Sequence, residues 1–235
     1  MSDHMKRLAM PRSWGIPKKT HVWATKQNAG GHSVEDSMPV TIVLRDMLKV
    51  CDTAREAHKI VANRDVFVNG KKVKDPKMPV GIMDVITIPK TGTYCRMLLN
   101  NKGKLTVVSI PEPNSHWIMC KVRGKTIVSG GKFQLNLSGG RNVLLNANAY
   151  HTGDSVKLNL DSNEIIGGYP LAEGAVALVT AGRHSGKILT VKEYIEVKNP
   201  KSNIVTFQSG EETVKDNVFV IGTGKPEIII PGASE

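Results

Sequence analysis

Residues 66–89 read VFVNGKKVKDPKMPVGIMDVITIP. Val66 and Val68 flank Phe67, Asn69-Gly70 follows, and Val73 resumes the apolar pattern after two lysines. Asn-Gly readily takes the positive φ angles of a type I′ turn, whose twist matches that of the flanking strands. The stretch therefore predicts a tight hairpin, with DVITI (84–88) as a further strand. A purely structural hairpin needs the turn and one apolar face. It has no need of Lys71, Lys72, Lys74 and Lys77, so the charge calls for a separate reason.

Upstream the period changes. TIVLRDMLKVC (41–51) sets Leu44, Met47, Leu48 and Cys51 at helical spacing. DTAREAHKIVAN (52–63) places Thr53 and Glu56 three apart, the pattern of a capping box, ahead of a stripe of Ala54, Ala57, Ile60 and Val61. Arg55 and Lys59 lie four apart and share a different face. Residues 41–90 thus read helix, helix, hairpin, strand.

Residues 1–40 hold no lasting period. Pro11, Gly15, Pro17, Gly30, Gly31 and Pro39 are scattered among Lys, Arg and His, with Trp14 and Trp23. Such a segment buries too little apolar surface to fold alone. It is either a disordered tail or an arm that orders only against RNA. The two tryptophans favour the arm, since rings set between cations offer base stacking beside phosphate contacts.

Downstream, KLTVVSI, HWIMCKV, KTIV, FQLNL, NVLL and SVKLNL are short strand-like runs separated by Gly, Asn and Ser. AVALVTA, KILTVKEYIEV, NIVTFQ and VFVIG continue the habit to the last module. The expected fold is α+β, mainly β, divided as 1–40, 41–92, 93–168 and 169–235.

The formal net charge is +11 over 235 residues, from 32 basic and 21 acidic side chains. Residues 1–31 carry six basic and one acidic, 41–92 ten and six, 93–168 nine and four, and 169–235 seven and eight. A surplus of this size favours a polyanion, nucleic acid first and anionic membrane second. The gradient leaves the C-terminal quarter outside the basic surface. No run approaches the roughly 18 apolar residues of a membrane span, and Pro11 and Gly15 interrupt any signal-like core. Cys51, Cys95 and Cys120 are odd in number and widely spaced, which suits reduced thiols and offers no zinc site. A soluble, cytoplasmic protein without metal, cofactor, membrane or small-molecule substrate is expected.

AGRHSGKI (181–188) fails the phosphate-loop pattern at both ends, at Ala181 and Ile188. The seven histidines form no close ligand pair, no G-x-S-x-G elbow is present, and Asp46 and Asp52 suit a helix surface and cap better than an acid–base pair.

LRDMLKVCDTAREAHKIVANRDVFVNGKKVKDPKMPVGIMDVITI (44–88) resembles the S-four RNA-binding domain, in Val66, Val68, Asn69 and Gly70 and then Gly81, Asp84 and Ile86. Several RNA-modifying enzymes share that domain, so the flanks decide. The N-terminal segment is similar to that of the archaeal and eukaryotic small-subunit ribosomal protein family called S-four-e, at Lys6, Arg7, Pro11, Trp14, Lys18, Gly31, His32, Pro39, Leu44 and Arg45. EGAVALVTAGRHSGKI (173–188) resembles a KOW motif, and VFVIGTGKP (218–226) the family's closing segment. The chain departs from the family at Leu189, where a glycine is usual, at Ser138 and Gly139 for His-Asp, and at Glu227 for Trp. The longer basic tail of eukaryotic members is missing, which makes an archaeal type the expectation.

The resemblance implies an extended basic arm, a helix–helix–hairpin S-four domain, a central β domain and a C-terminal KOW, SH3-like β-barrel. It implies a structural constituent of the small ribosomal subunit, with ribosomal RNA and neighbouring small-subunit proteins as partners. The alternatives are an S-four RNA-modifying enzyme and a KOW-type transcription or translation factor. Under the leading reading the hairpin is a phosphate clamp of Lys71, Lys72 and Lys74, joined by Arg45, Lys49, Arg55 and Lys59. The arm adds Lys6, Arg7, Arg12, Trp14, Lys18 and Lys19, and the KOW turn Arg183, His184 and Lys187.

Overall fold

The computed structural model describes residues 4–197 and 202–230. The chain divides into two compact units, Met1–Leu98 with Lys104–Ile118, and Leu99–Gly103 with Met119–Glu235.

The first unit holds strands β1 (Met5–Lys6), β2 (Trp23–Ala24), β3 (Ser37–Pro39), β4 (Phe67–Val68), β5 (Lys71–Lys72), β6 (Pro79–Gly81), β7 (Val85–Ile88), β8 (Thr93–Leu99) and β9 (Leu105–Ser109). β1 pairs with β2 and β3 with β6, and the main sheet runs β5-β4-β7-β8-β9. Helix α1 (Val40–Ile42) passes into a π-helical turn over Val43–Met47, which ends where Lys49 takes a φ of 54°. This is shorter and wider than the single helix expected. Its buried residues are Val40, Thr41, Ile42, Val43 and the predicted Leu44; the predicted Met47 and Leu48 are half-buried, and Cys51 is buried beyond its end.

Helix α2 (Ala54–Ala62) begins as its sequence requires. The Thr53 hydroxyl accepts from the Glu56 N–H at 3.2 Å, and the Glu56 carboxylate accepts from the Thr53 and Asp52 N–H groups, a complete capping box. Such a cap contributes about 1 kcal/mol. Ala57 and Val61 are buried. At the hairpin both Asn69 (φ 51°) and Gly70 (φ 74°) are left-handed, the geometry of the I′ turn.

The second unit contains two five-stranded sheets. The first has the order β12-β11-β10-β13-β14, from β10 (Trp117–Ile127), β11 (Phe133–Leu137), β12 (Asn142–Leu145), β13 (Ser155–Asn159) and β14 (Ile165–Tyr169). HWIMCKV and KTIV are therefore one strand, not two, with a bulge between Val122 and Gly124 that lets it bend. The second sheet has the order β18-β17-β16-β15-β19, from β15 (Ala175–Val179), β16 (Ile188–Ile195), β17 (Ile204–Phe207), β18 (Glu212–Val214) and β19 (Val218–Thr223). Ala175, Ala177, Val179, Val191, Val205, Phe207, Val218 and Val220 close its core. Among the described residues no helix is long and apolar enough to cross a membrane, and all three cysteines are free and buried.

Candidate nucleic-acid interface

The lysine-rich hairpin stands on a polar base. The Asn69 side chain accepts from the Val85 N–H at 2.9 Å and donates to Asp84 Oδ1 at 2.7 Å. Asp84 Oδ2 accepts from the Gly81 N–H at 2.8 Å and lies 3.1 Å from His32 Nε2. Buried polar groups are stable only when satisfied in this way. Gly81 suits the same contact, because a Cβ there would meet the His32 ring at 2.2 Å and push it off Asp84. Val66, Val68 and Val73 face inward, and Lys71, Lys72 and Lys74 are exposed. Lys72 also lies over the Phe67 ring, 5.9 Å from its centroid. The result is a rigid turn carrying a row of solvated cations.

On α2 the burial of Ala57 and Val61 leaves Arg55 and Lys59 exposed, and Lys49 is exposed at the end of the π-helical turn. Arg45 differs from them. It is half-buried and its guanidinium bonds its neighbour Asp46, at 2.7 and 3.1 Å, so its charge is compensated locally.

The N-terminal segment corrects the expectation of an arm without its own packing. Trp14 is 1% exposed and its indole N–H donates to the Ser37 carbonyl at 2.8 Å. Arg7 is 2% exposed and its Nε donates to the Pro17 carbonyl at 2.6 Å. Both were expected to face RNA; a base cannot stack on a covered ring, and the Arg7 side chain is buried. Met10 and Ile16 are buried too, and Lys18 donates to the Met10 carbonyl at 3.1 Å. The segment buries little by itself but completes a core that residues 41–105 supply, through the β3–β6 pairing and a bridge from Trp14 to Leu105. Lys6, Arg12 and Lys19 remain exposed.

In the C-terminal loop Arg183 is exposed, whereas His184 and Lys187 both converge on Glu211. The Lys187 hydrogen bond, aided by the His184 and Lys187 charges against a smaller effect of burial, holds the Glu211 carboxyl below its usual value. Gly186 has a φ of 86°, and a Cβ there would meet the Asn100 carbonyl oxygen at 1.8 Å.

Three family descriptions match in succession: the RS4NT domain over residues 1–35, the S4 domain over 39–86, and ribosomal family S4e over 91–165. The chain is 40% identical to small ribosomal subunit protein eS4 of Methanothermobacter thermautotrophicus over 233 residues, 97% of this chain and 96% of that one. It is 41% identical over 232 residues to the protein of that name from Methanosphaera stadtmanae, again 97% and 96%. The chain belongs to ribosomal family S4e. Its fold agrees with the crystal structure of 30S ribosomal protein S4e from Thermoplasma acidophilum, with a TM-score of 0.71 at 34% identity, over 80% of this chain and 96% of the other.

Within this S4e chain the departures from the family pattern have structural employment. Leu189 packs on the core of the last sheet, Ser138 Oγ accepts from the Lys121 N–H at 3.0 Å, and Glu227 pairs with Lys157 at 3.2 Å. Two buried cations escaped the sequence reading. Arg96 lies 4.0 Å over the Trp117 ring and donates to the Asn114 and Trp117 carbonyls, and its loss of water lowers its pKa to about 10. Lys121 donates to the Lys215 and Asp216 carbonyls at 2.7 and 2.9 Å, and burial lowers its pKa to about 8. The available signal was position: each interrupts an apolar run, TYCRMLL and WIMCKV.

Proposed function

We propose that this chain is a structural, non-catalytic constituent of the small ribosomal subunit that holds ribosomal RNA in its folded form. The observation that carries the reading is near-full-length similarity to relatives named small ribosomal subunit protein eS4, together with the S4 domain match. The RNA-facing residues are Lys71, Lys72 and Lys74 on the hairpin, Arg55, Lys59 and Lys49 beside it, and Lys6, Arg12, Lys18 and Lys19 of the N-terminal segment. What supports them is their charge, and solvent exposure for all but the half-buried Lys18. A rigid turn positions cations against phosphates without reading bases, which suits A-form RNA, whose base edges lie in a deep, narrow groove. Arg45 contributes less, since Asp46 holds it.

The C-terminal module is a KOW-type barrel that faces solvent or a neighbouring ribosomal protein in the cytoplasmic ribosome. Its near-neutral charge and the capture of His184 and Lys187 by Glu211 support that placement. Co-sedimentation of tagged protein from native lysate tests the whole reading, at low salt and again near half-molar salt. Stoichiometric presence in the small-subunit peak after the salt wash is expected. Presence in light fractions alone would overturn it.

A further inference from the structure

Of the three tryptophans, Trp14 and Trp117 are buried and Trp23 is 56% exposed. Trp23 is fixed in place. The β1–β2 ribbon sets Met5 opposite Ala24 and Lys6 opposite Trp23, and the Arg7 N–H donates to the Val22 carbonyl at 2.9 Å. Directly opposed residues project to one side of an antiparallel pair, and their neighbours to the other. Ala24 is buried and Met5 half-buried, so the opposite face presents Lys6 and Trp23 together. The His4 ring packs T-shaped with the indole, with centroids 5.8 Å apart and planes at 60°, and Trp23 still keeps more than half of its surface exposed.

An oriented indole beside an ammonium group fits a partner with a flat π-surface joined to an anion. The surroundings have the same sign, with six basic side chains and one acidic in residues 1–31. We propose that Trp23 is a stacking platform for one unpaired RNA base, with Lys6 on the same face taking the adjoining phosphate. This rests on the RNA-binding reading above and specifies its partner. A base inside a continuous stem has no free face, so the ligand is a bulged or single-stranded nucleotide.

The test uses the full chain and two RNA hairpins that differ by one bulged adenosine in the stem. The bulged hairpin should quench the wild-type tryptophan fluorescence, and Trp23→Ala should bind it about tenfold more weakly. Trp23→Phe should recover most of that loss. Binding of the fully paired hairpin should change less than twofold in either variant, and the thermal midpoint of each should match wild type. Equal binding of the bulged hairpin by wild type and Trp23→Ala would overturn the platform and leave the RNA reading standing. A wild-type chain that binds neither RNA would overturn the RNA reading, and the platform with it. Normal RNA binding by Trp23→Ala, combined with its loss from small subunits, would overturn the proposal in favour of a protein contact.

Discussion

The hairpin of residues 66–73 and the loop of residues 181–187 are both glycine turns bearing cations, yet they deploy them in opposite ways. In the hairpin the polar partners lie underneath. Asn69, Asp84, Gly81 and His32 bond one another, and the lysines are left outside. In the loop the cations themselves are partnered, since His184 and Lys187 meet Glu211. Similar runs of positive charge in the sequence become an open array in one place and a compensated cluster in the other. Charge available to a phosphate is set by what each cation already touches, because an ion pair must be broken before a new one forms.

The largest effect that would break this comparison is on the glycines. Gly186→Ala faces both a left-handed φ and a backbone carbonyl that cannot rotate away, and should cost about 4 kcal/mol in urea unfolding. Gly81→Ala meets only the His32 ring, which can swing aside, and should cost less. The reverse order would mean that the loop is the looser of the two turns.

Lys121 gives the next effect. Its folded pKa of about 8 lies below the ordinary 10.5, so between those values the unfolded chain holds a proton that the folded chain has released. Stability from this group therefore rises with pH through that window, by about 3 kcal/mol in all, and is lowest below pH 8. Urea midpoints of wild type and Lys121→Met at pH 8 and pH 10.5 isolate it. Wild type should gain on the variant as pH rises, and parallel curves would show that the buried lysine keeps its ordinary affinity for the proton.

Charge availability is measured by salt. Lys71→Gln, Lys72→Gln and Lys74→Gln combined should reduce the log–log salt slope of RNA binding by nearly three units, each phosphate contact counting for slightly under one. Arg183→Gln with Lys187→Gln should reduce it by less than about half a unit. Equal reductions would erase the distinction between the two turns.

Much of this was legible because local rules and tertiary packing agree there. Thr53 and Glu56 announce α2, and Asn69-Gly70 announces the hairpin, since capping and turn chemistry depend on neighbours in the chain. Trp14 and Arg7 were misread for the converse reason. Their partners, Pro17 for Arg7 and Ser37 and Leu105 for Trp14, lie beyond residues 1–16, at 10, 23 and 91 residues along the chain, and nothing in that stretch reveals them. The pairing of Lys187 with Glu211 is hidden in the same way, being a contact across 24 residues between two turns of one sheet.

That pairing supplies the smallest and sharpest test. Glu211→Gln keeps the side chain's shape and removes the charge that holds His184 and Lys187. If pairing is what quiets the loop, the variant should bind structured RNA slightly more tightly at low salt, with a slope steeper by about one unit. The same change in a chain that also carries Lys187→Gln should do less, because the freed cation is then missing. An unchanged slope in the single variant would mean that position, not pairing, separates the loop from RNA. The contrast between the two turns would then be one of placement alone.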